Sequence, residues 1–324
     1  MSTRISLLLD STAAPEFTLP IAETAARVGI GRIWISEDYW RKGAFSTAGA
    51  ILAHSPGLEV GLGVASLLVR SPAVLGMEVA TIDRMFPGRF ICGVGLGSPR
   101  ALRQLDLMPE KMIGATRDHL DVLRRISRGE PVTWSDPTHT LDEVELEHPA
   151  DGRSRFYLAA SSPQMLRLAA THADGLILSI MSGPGYLAFV RDEIAATVEA
   201  RPRPLPTTAF MYVSCEDDAQ LAFERARDFV AATLLQRPRT SVMQTRSGVA
   251  HLLDGLLDGD PSTLAARMPR EVVDEFVVNG TPEVVRARLQ DHGSLGVDEI
   301  AIRPIGDGAS AGGYLRIAEQ DIWR

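Results

Sequence analysis

The stretch that decides the fold is Leu58–Ser98, LEVGLGVASLLVRSPAVLGMEVATIDRMFPGRFICGVGLGS. Leu58 to Ser66 is an apolar run with no charge after Glu59, the pattern of a strand buried on both faces. Pro72 to Met85 carries Val74, Leu75, Met77, Val79, Ala80 and Ile82 mostly at helical spacing, with Pro72 in the first turn and Phe86-Pro87-Gly88 as the breaker. Arg89 to Gly95 is a second apolar run. The segment therefore reads strand, helix, strand, and a helical crossover makes the two strands parallel. Both strands end in glycine-rich loops at the carboxyl edge, where α/β proteins place ligands and where glycine lets a backbone approach a flat or anionic group closely.

The same rhythm repeats on either side. Upstream lie a strand at Arg4–Leu9, a helix from Leu19 to Val28, a strand from Arg32 to Ser36 and a helix from Ser46 to His54. Downstream, a long connection after Ser98 leads to a helix at Ala115–Ser127. Pro131 to Pro149, alternating and rich in turn residues, reads as a hairpin excursion outside the scaffold. Strands follow at Arg155–Ala160, Gly175–Ser179 and Thr207–Val213, alternating with helices at Pro163–Thr171, Tyr186–Ala200 and Ala219–Leu234. Gln236 to Asn279 is helical in pattern at Val249–Leu257 and Glu271–Val278, holds no strand candidate, and is expected to be an inserted or capping region. A helix from Thr281 to His292 and a strand from Val297 to Pro304 close the series. Eight strands, near residues 5, 34, 61, 92, 157, 177, 210 and 300, all read as buried and none as an edge. The expected architecture is a (β/α)8 TIM barrel with insertions: one domain over residues 1–324, with an excursion near 131–150 and a helical insertion near 236–279.

A chain of 324 residues with 45% hydrophobic and 23% charged residues is an ordinary globular protein, and its formal charge of −8 argues against a nucleic-acid partner. Cys92 and Cys215 form no disulfide or metal pattern, which suits a reducing cytoplasm. The absence of a basic leader and of any apolar run of about 18 residues gives a cytoplasmic expectation with no membrane partner. His119, His139, His148 and His251 stand in no ligand spacing, so no metal site is expected.

Gly93, Gly95 and Gly97 resemble a dinucleotide fingerprint, although no acidic residue ends the next strand in the expected way; tight strand-end packing is the alternative. Ala160-Ser161-Ser162-Pro163 starts a helix at the open face of the barrel, where free N–H groups suit a phosphate, although an ordinary cap looks the same. Glu37 and Asp38, just past the second strand, are candidates for proton transfer or for hydrogen bonds to a cofactor ring; the alternative is ion pairing with Arg41 and Lys42. Asp83 and Arg89, flanking the breaker, read as a structural ion pair near the closed end.

Five blocks carry a family likeness: ARVGIGRIWISEDYW (Ala26–Trp40), VGLGVASLLVRSP (Val60–Pro72), ATIDRMFPGRFICGVGLGS (Ala80–Ser98), YLAASSPQMLRLAATHADGLILS (Tyr157–Ser179) and NGTPEVVRARL (Asn279–Leu289). The chain resembles the bacterial-luciferase-like (LLM class) oxidoreductases, and within them the deazaflavin-dependent branch that includes methylenetetrahydromethanopterin reductase. The resemblance implies a bulge at the end of the third strand, commonly with a non-prolyl cis peptide, pressing on the cofactor ring. It falls on Gly63, Val64 and Ala65, with Ser66 just beyond. It also implies that Gly95, Leu96, Gly97 and Ser98 border the ring and ribityl chain, and that Ala160, Ser161 and Ser162 hold the cofactor phosphate with Leu178 and Ser179 nearby. The histidine many relatives carry after the second strand is absent, the pair there being Glu37-Asp38. The first-strand glutamate of the reductases has no counterpart in ISLLLD, and Ser98 replaces an acid. The implied function is hydride transfer between coenzyme F420 and a small organic substrate. An FMN-dependent monooxygenase and a non-catalytic flavin-binding barrel remain as alternatives, and a homodimer is implied by the family.

Overall fold

The structure is a computed structural model describing residues 3–150, 152–197, 204–305 and 311–323. Its strands and helices alternate: β1 (Arg4–Leu9), α1 (Thr18–Arg27), β2 (Arg32–Ile35), α2 (Ala44–His54), β3 (Glu59–Leu62), β4 (Ala65–Ser66), α3 (Pro72–Met85), β5 (Phe90–Gly95), α4 (Pro99–Gln104) and α5 (Met112–Ser127). Then come β6 (Val132–Ser135), β7 (Thr140–Val144), β8 (Phe156–Ala159), α6 (Pro163–His172), β9 (Gly175–Leu178), α7 (Pro184–Thr197), β10 (Thr207–Cys215) and α8 (Ala219–Leu235). The chain ends with α9 (Val242–Thr245), α10 (Ala250–Leu257), α11 (Leu264–Arg267), α12 (Arg270–Phe276), β11 (Val277–Gly280), α13 (Pro282–Gly293), β12 (Glu299–Pro304) and α14 (Ala311–Glu319). Residues 198–200, read above as the end of a helix, lie outside the described residues.

β1, β2, β3, β5, β8, β9, β10 and β12 pair in parallel and in that order, and β12 returns to β1, so the eight expected strands close into a barrel. Alternation along each strand sorts its residues. Leu7, Ile33, Val60, Cys92, Leu158, Leu178 and Ile302 pack outward in the core shared with the helices. Leu8, Trp34, Ile91, Tyr157, Ile177, Phe210 and Ala301 form a separate inner cluster, one residue from each of seven strands. β3 offers glycine to this layer: a Cβ on Gly61 would lie 2.4 Å from the Trp34 ring, and one on Gly63 would lie 2.3 Å from Phe210 Cζ. Two large rings fill the barrel because β3 gives up its side chains.

The inner layer is bounded below by charge. Arg32, two residues before Trp34 and on the same face, pairs with Glu299 and, at 2.5 Å, with Glu59; Trp34 Nε1 donates to Glu299 Oε1 at 2.9 Å. This cluster closes the amino-terminal end of the barrel.

Four readings need correction. Leu58–Ser66 is two strands: between its pairings with β5, the five residues Gly61–Ala65 stand opposite the four residues Ile91–Val94, so one residue bulges. The Gly63–Val64 peptide in that bulge is cis. Gln236–Asn279 does contain strand residues, since β11 pairs in parallel with the end of β10; a four-residue strand directly after a helix is too short to be typed by periodicity. The long connection after Ser98 includes the short helix α4. Asp83 accepts from Ser154 Oγ at 2.6 Å, while Arg89 donates to the carbonyls of Leu58 and Ser55, so these two form no ion pair with each other.

The hairpin β6–β7 forms its own two-stranded antiparallel sheet, docked on α5 through Val122, Ile126, Val132 and Leu141. Helices α8 and α10–α12 pack into a second apolar cluster around Tyr212, Val230, Leu253, Val272 and Phe276. No helix among the described residues is long and apolar enough to cross a membrane.

Candidate active site

A cavity of about 860 Å³ opens at the carboxyl ends of the strands, with Leu8, Ile177 and Phe210 of the inner layer among its lining residues. Its walls come from strand-end loops. Gly63 and Val64 enter from the bulge, Gly95, Leu96, Gly97 and Ser98 from the loop after β5, Ala160 and Ser161 from the start of α6, and Ser179 from the end of β9. Glu37 and Asp38 line it as well. The loops that the sequence marked as candidates at five separate places thus share one hollow.

Four of the candidates do not line the cavity. Leu178 and Ala65 belong to the outward core. Ser66 donates its hydroxyl to the Leu96 carbonyl at 2.7 Å, fixing the glycine loop from behind. Ser162 caps α6 by accepting from the Met165 N–H. With Ser162 spent on the cap and Pro163 at the first helical position, the remaining N–H groups of the first turn lack helical acceptors and sit at the positive end of the helix dipole.

The two acids differ in what they can do. Both oxygens of Glu37 are taken by Arg70, at 2.7 and 2.6 Å, and its side chain is only 5% exposed, so it braces Arg70 rather than Arg41 or Lys42. Lys42 donates to the Ala13 carbonyl at 3.0 Å. Asp38 is exposed and accepts from the Ser11 hydroxyl, leaving it the freer of the two for proton exchange.

The sequence reading passed over the site's other charges. Asp10 and Arg303 line the cavity and pair with each other, with Arg303 Nη1 also donating to Tyr212 Oη at 2.9 Å. Arg41 and Arg237 line it with no carboxylate partner among the described residues. Burial lowers the Arg237 pKa from its ordinary value, the Tyr212 ring hydroxyl being its one opposing influence. A half-buried guanidinium without an anion is a standing invitation to one. Asp10 and Arg303 could have been found as charges at the carboxyl ends of apolar strands; Arg237 arrives from the region after α8 and left no such signal.

The model of the luciferase-like monooxygenase family matches residues 1–299. The chain belongs to that family. This luciferase-like protein is 24% identical over 302 residues to 5,10-methylenetetrahydromethanopterin reductase of Archaeoglobus fulgidus, covering 90% of each chain. Its fold superposes on the coenzyme F420-dependent tetrahydromethanopterin reductase of Methanopyrus kandleri with a TM-score of 0.80 at 17% identity over the full length of both chains. It also superposes on the FMN complex of the oxygenating constituent of 3,6-diketocamphane monooxygenase from Pseudomonas putida, with a TM-score of 0.74 at 17% identity over 100% of this chain and 98% of that one.

Proposed function

We propose that this luciferase-like protein is a coenzyme F420-dependent oxidoreductase moving a hydride between the deazaflavin and a small organic substrate. The observation carrying this reading is that Val64, the Gly95–Ser98 loop and the Ser161 helix start line the same cavity. The residues fit the group: Gly63 and Gly95 bring main chain to the wall of a cavity roomy enough for a flat ring, and the α6 N-terminus suits a phosphate. The names of several relatives, an F420-dependent tetrahydromethanopterin reductase and F420-dependent glucose-6-phosphate dehydrogenases among them, favour F420 over FMN.

Bound F420 would supply the hydride-accepting or hydride-donating ring carbon. The chain's own residues do the rest. Gly63 and Val64 would back the ring, Gly95, Leu96, Gly97 and Ser98 would flank it, and the α6 start with Ala160, Ser161 and Ser179 would hold the phosphorylated tail. Asp38 exchanges a proton with solvent at its exposed carboxylate. Glu37 holds Arg70 in place and touches no reacting atom. Arg237 takes an anionic group of the substrate. From the region after α8, Arg237 reaches the cavity wall.

The test is steady-state oxidation or reduction of F420 by a panel of small alcohols, aldehydes and their carboxylated analogues. Turnover with F420, favouring carboxylated members, is expected. Turnover only with reduced FMN and oxygen would replace this reading with that of a monooxygenase.

A further inference from the structure

A further polar cluster, separate from the barrel floor and from the cavity lining, lies where the β6–β7 hairpin meets α5. On α5, His119 continues the stripe of Val122 and Ile126 that docks the hairpin, so an imidazole occupies a position that spacing alone assigns to the core. His119 is 1% exposed, with Trp134 of β6 edge-on to its ring at 4.9 Å and His139 at 5.9 Å. Its Nδ1 is 2.9 Å from the Ala115 carbonyl. A carbonyl only accepts, so Nδ1 carries the proton and Nε2 presents a lone pair. That Nε2 is buried, makes no hydrogen bond, and lies 3.2 Å from Asp136 Oδ2.

Asp136 is turned the same way. Its Oδ1 accepts from the N–H groups of Thr138 and His139, at 2.8 and 2.6 Å, and from the Thr138 hydroxyl at 2.9 Å. The turn is thereby satisfied through one oxygen, and Oδ2 is left facing His119. Two acceptors at 3.2 Å repel unless a cation stands between them.

We infer that His119, Asp136 and His139 form a binding site for a divalent transition-metal ion, Zn²⁺ above all. One ligand atom from each residue lies within 4.8 Å of the others. Tetrahedral Zn²⁺ with bonds of about 2.0–2.1 Å sets its donors about 3.3 Å apart, which the His119–Asp136 pair already meets. Two imidazoles and one carboxylate select borderline metals over Mg²⁺ or Ca²⁺, and the Nδ1 contact to Ala115 is the outer partner that orients a ligand histidine. No fixed histidine spacing announces the site, because one ligand comes from the helix and two from the turn of the hairpin that packs on it. The ion clasps that hairpin to α5 and owes nothing to the cavity at the barrel mouth.

The test is titration of the metal-free, full-length chain with Zn²⁺ against a chromophoric chelator, with Co²⁺ absorption as the spectroscopic readout of geometry. One Zn²⁺ per chain is expected, with Co²⁺ bands of a four-coordinate site. His139→Ala and Asp136→Asn, both in the hairpin turn, should each weaken binding by more than roughly tenfold, the lower edge of what losing even an outer partner costs. Both should leave the circular dichroism of the metal-free chain unchanged. A wild-type chain that takes up no Zn²⁺, or whose uptake neither substitution alters, overturns the assignment and leaves His119 and Asp136 as an ion pair. Unchanged cofactor binding in either variant keeps this outcome separate from the function of the mouth.

Discussion

The two ends of the barrel use the same residue types to opposite effect. At the amino-terminal end, both terminal nitrogens of Arg32 meet carboxylates, and Trp34 takes up the second oxygen of Glu299. At the carboxyl end, Arg303 has Asp10, but Arg41 and Arg237 face the cavity without an acid among the described residues. The strands themselves carry the contrast: β12 reads Glu299, Ala301, Arg303 along its inner face, charge at the floor, apolar in the middle, charge at the mouth. A paired interior charge holds a fold together, and an unpaired one waits for a ligand.

The largest effect should come from breaking the floor. Glu299→Leu leaves Arg32 buried with only Glu59 and orphans the Trp34 N–H, so a loss of about 3–5 kcal/mol is expected in denaturant unfolding. A loss below about 1 kcal/mol would mean that floor and mouth do not differ. Next, Gly63→Ala drives a methyl group into the Phe210 ring, and overpacking of about 1–3 kcal/mol should appear as lost stability together with weaker cofactor binding. Calorimetry and cofactor titration of one preparation would show both.

Arg237→Met sharpens the comparison because its two readouts diverge. Removing a half-buried cation that has no acid beside it should leave stability unchanged or raised, while KM for a carboxylated substrate rises about tenfold, or about 1.4 kcal/mol. Loss of stability without a change in KM would assign Arg237 to the fold. The smallest effect concerns acid. Burial alone would raise the Glu59 carboxyl, but the Arg32 hydrogen bond and charge, with Arg4 behind them, hold it below the usual carboxylate range. A depressed folded-state pKa contributes stability in full above the ordinary carboxylate range and loses it as pH falls through the folded value. Glu59→Gln should therefore flatten the acid limb of stability measured from about pH 7 to about pH 3.

Much of this was legible in the residues. Arg4–Leu9 and Pro72–Met85 have the bounds read from periodicity and breakers, because long patterned segments bounded by proline and glycine leave few alternatives. Val277–Gly280 was hidden because four residues running straight on from a helix are too few to show a period. At the site, glycines and a serine cap advertise backbone chemistry, so Gly63, Gly95 and Ser161 could be named from sequence. Arg237 and the partner of Glu37 depend on which loops meet, and Arg70 reaches Glu37 across a turn that no local pattern specifies. His119 stood in no ligand spacing for the same reason: its neighbours Asp136 and His139 come from another element.

Equilibrium titration of the purified chain with F420 and with FMN, side by side, bears on the mouth most directly. Binding of F420 at least about tenfold tighter than FMN, weakened in Gly63→Ala, is the expected result. FMN binding equal to or tighter than F420 would contradict it.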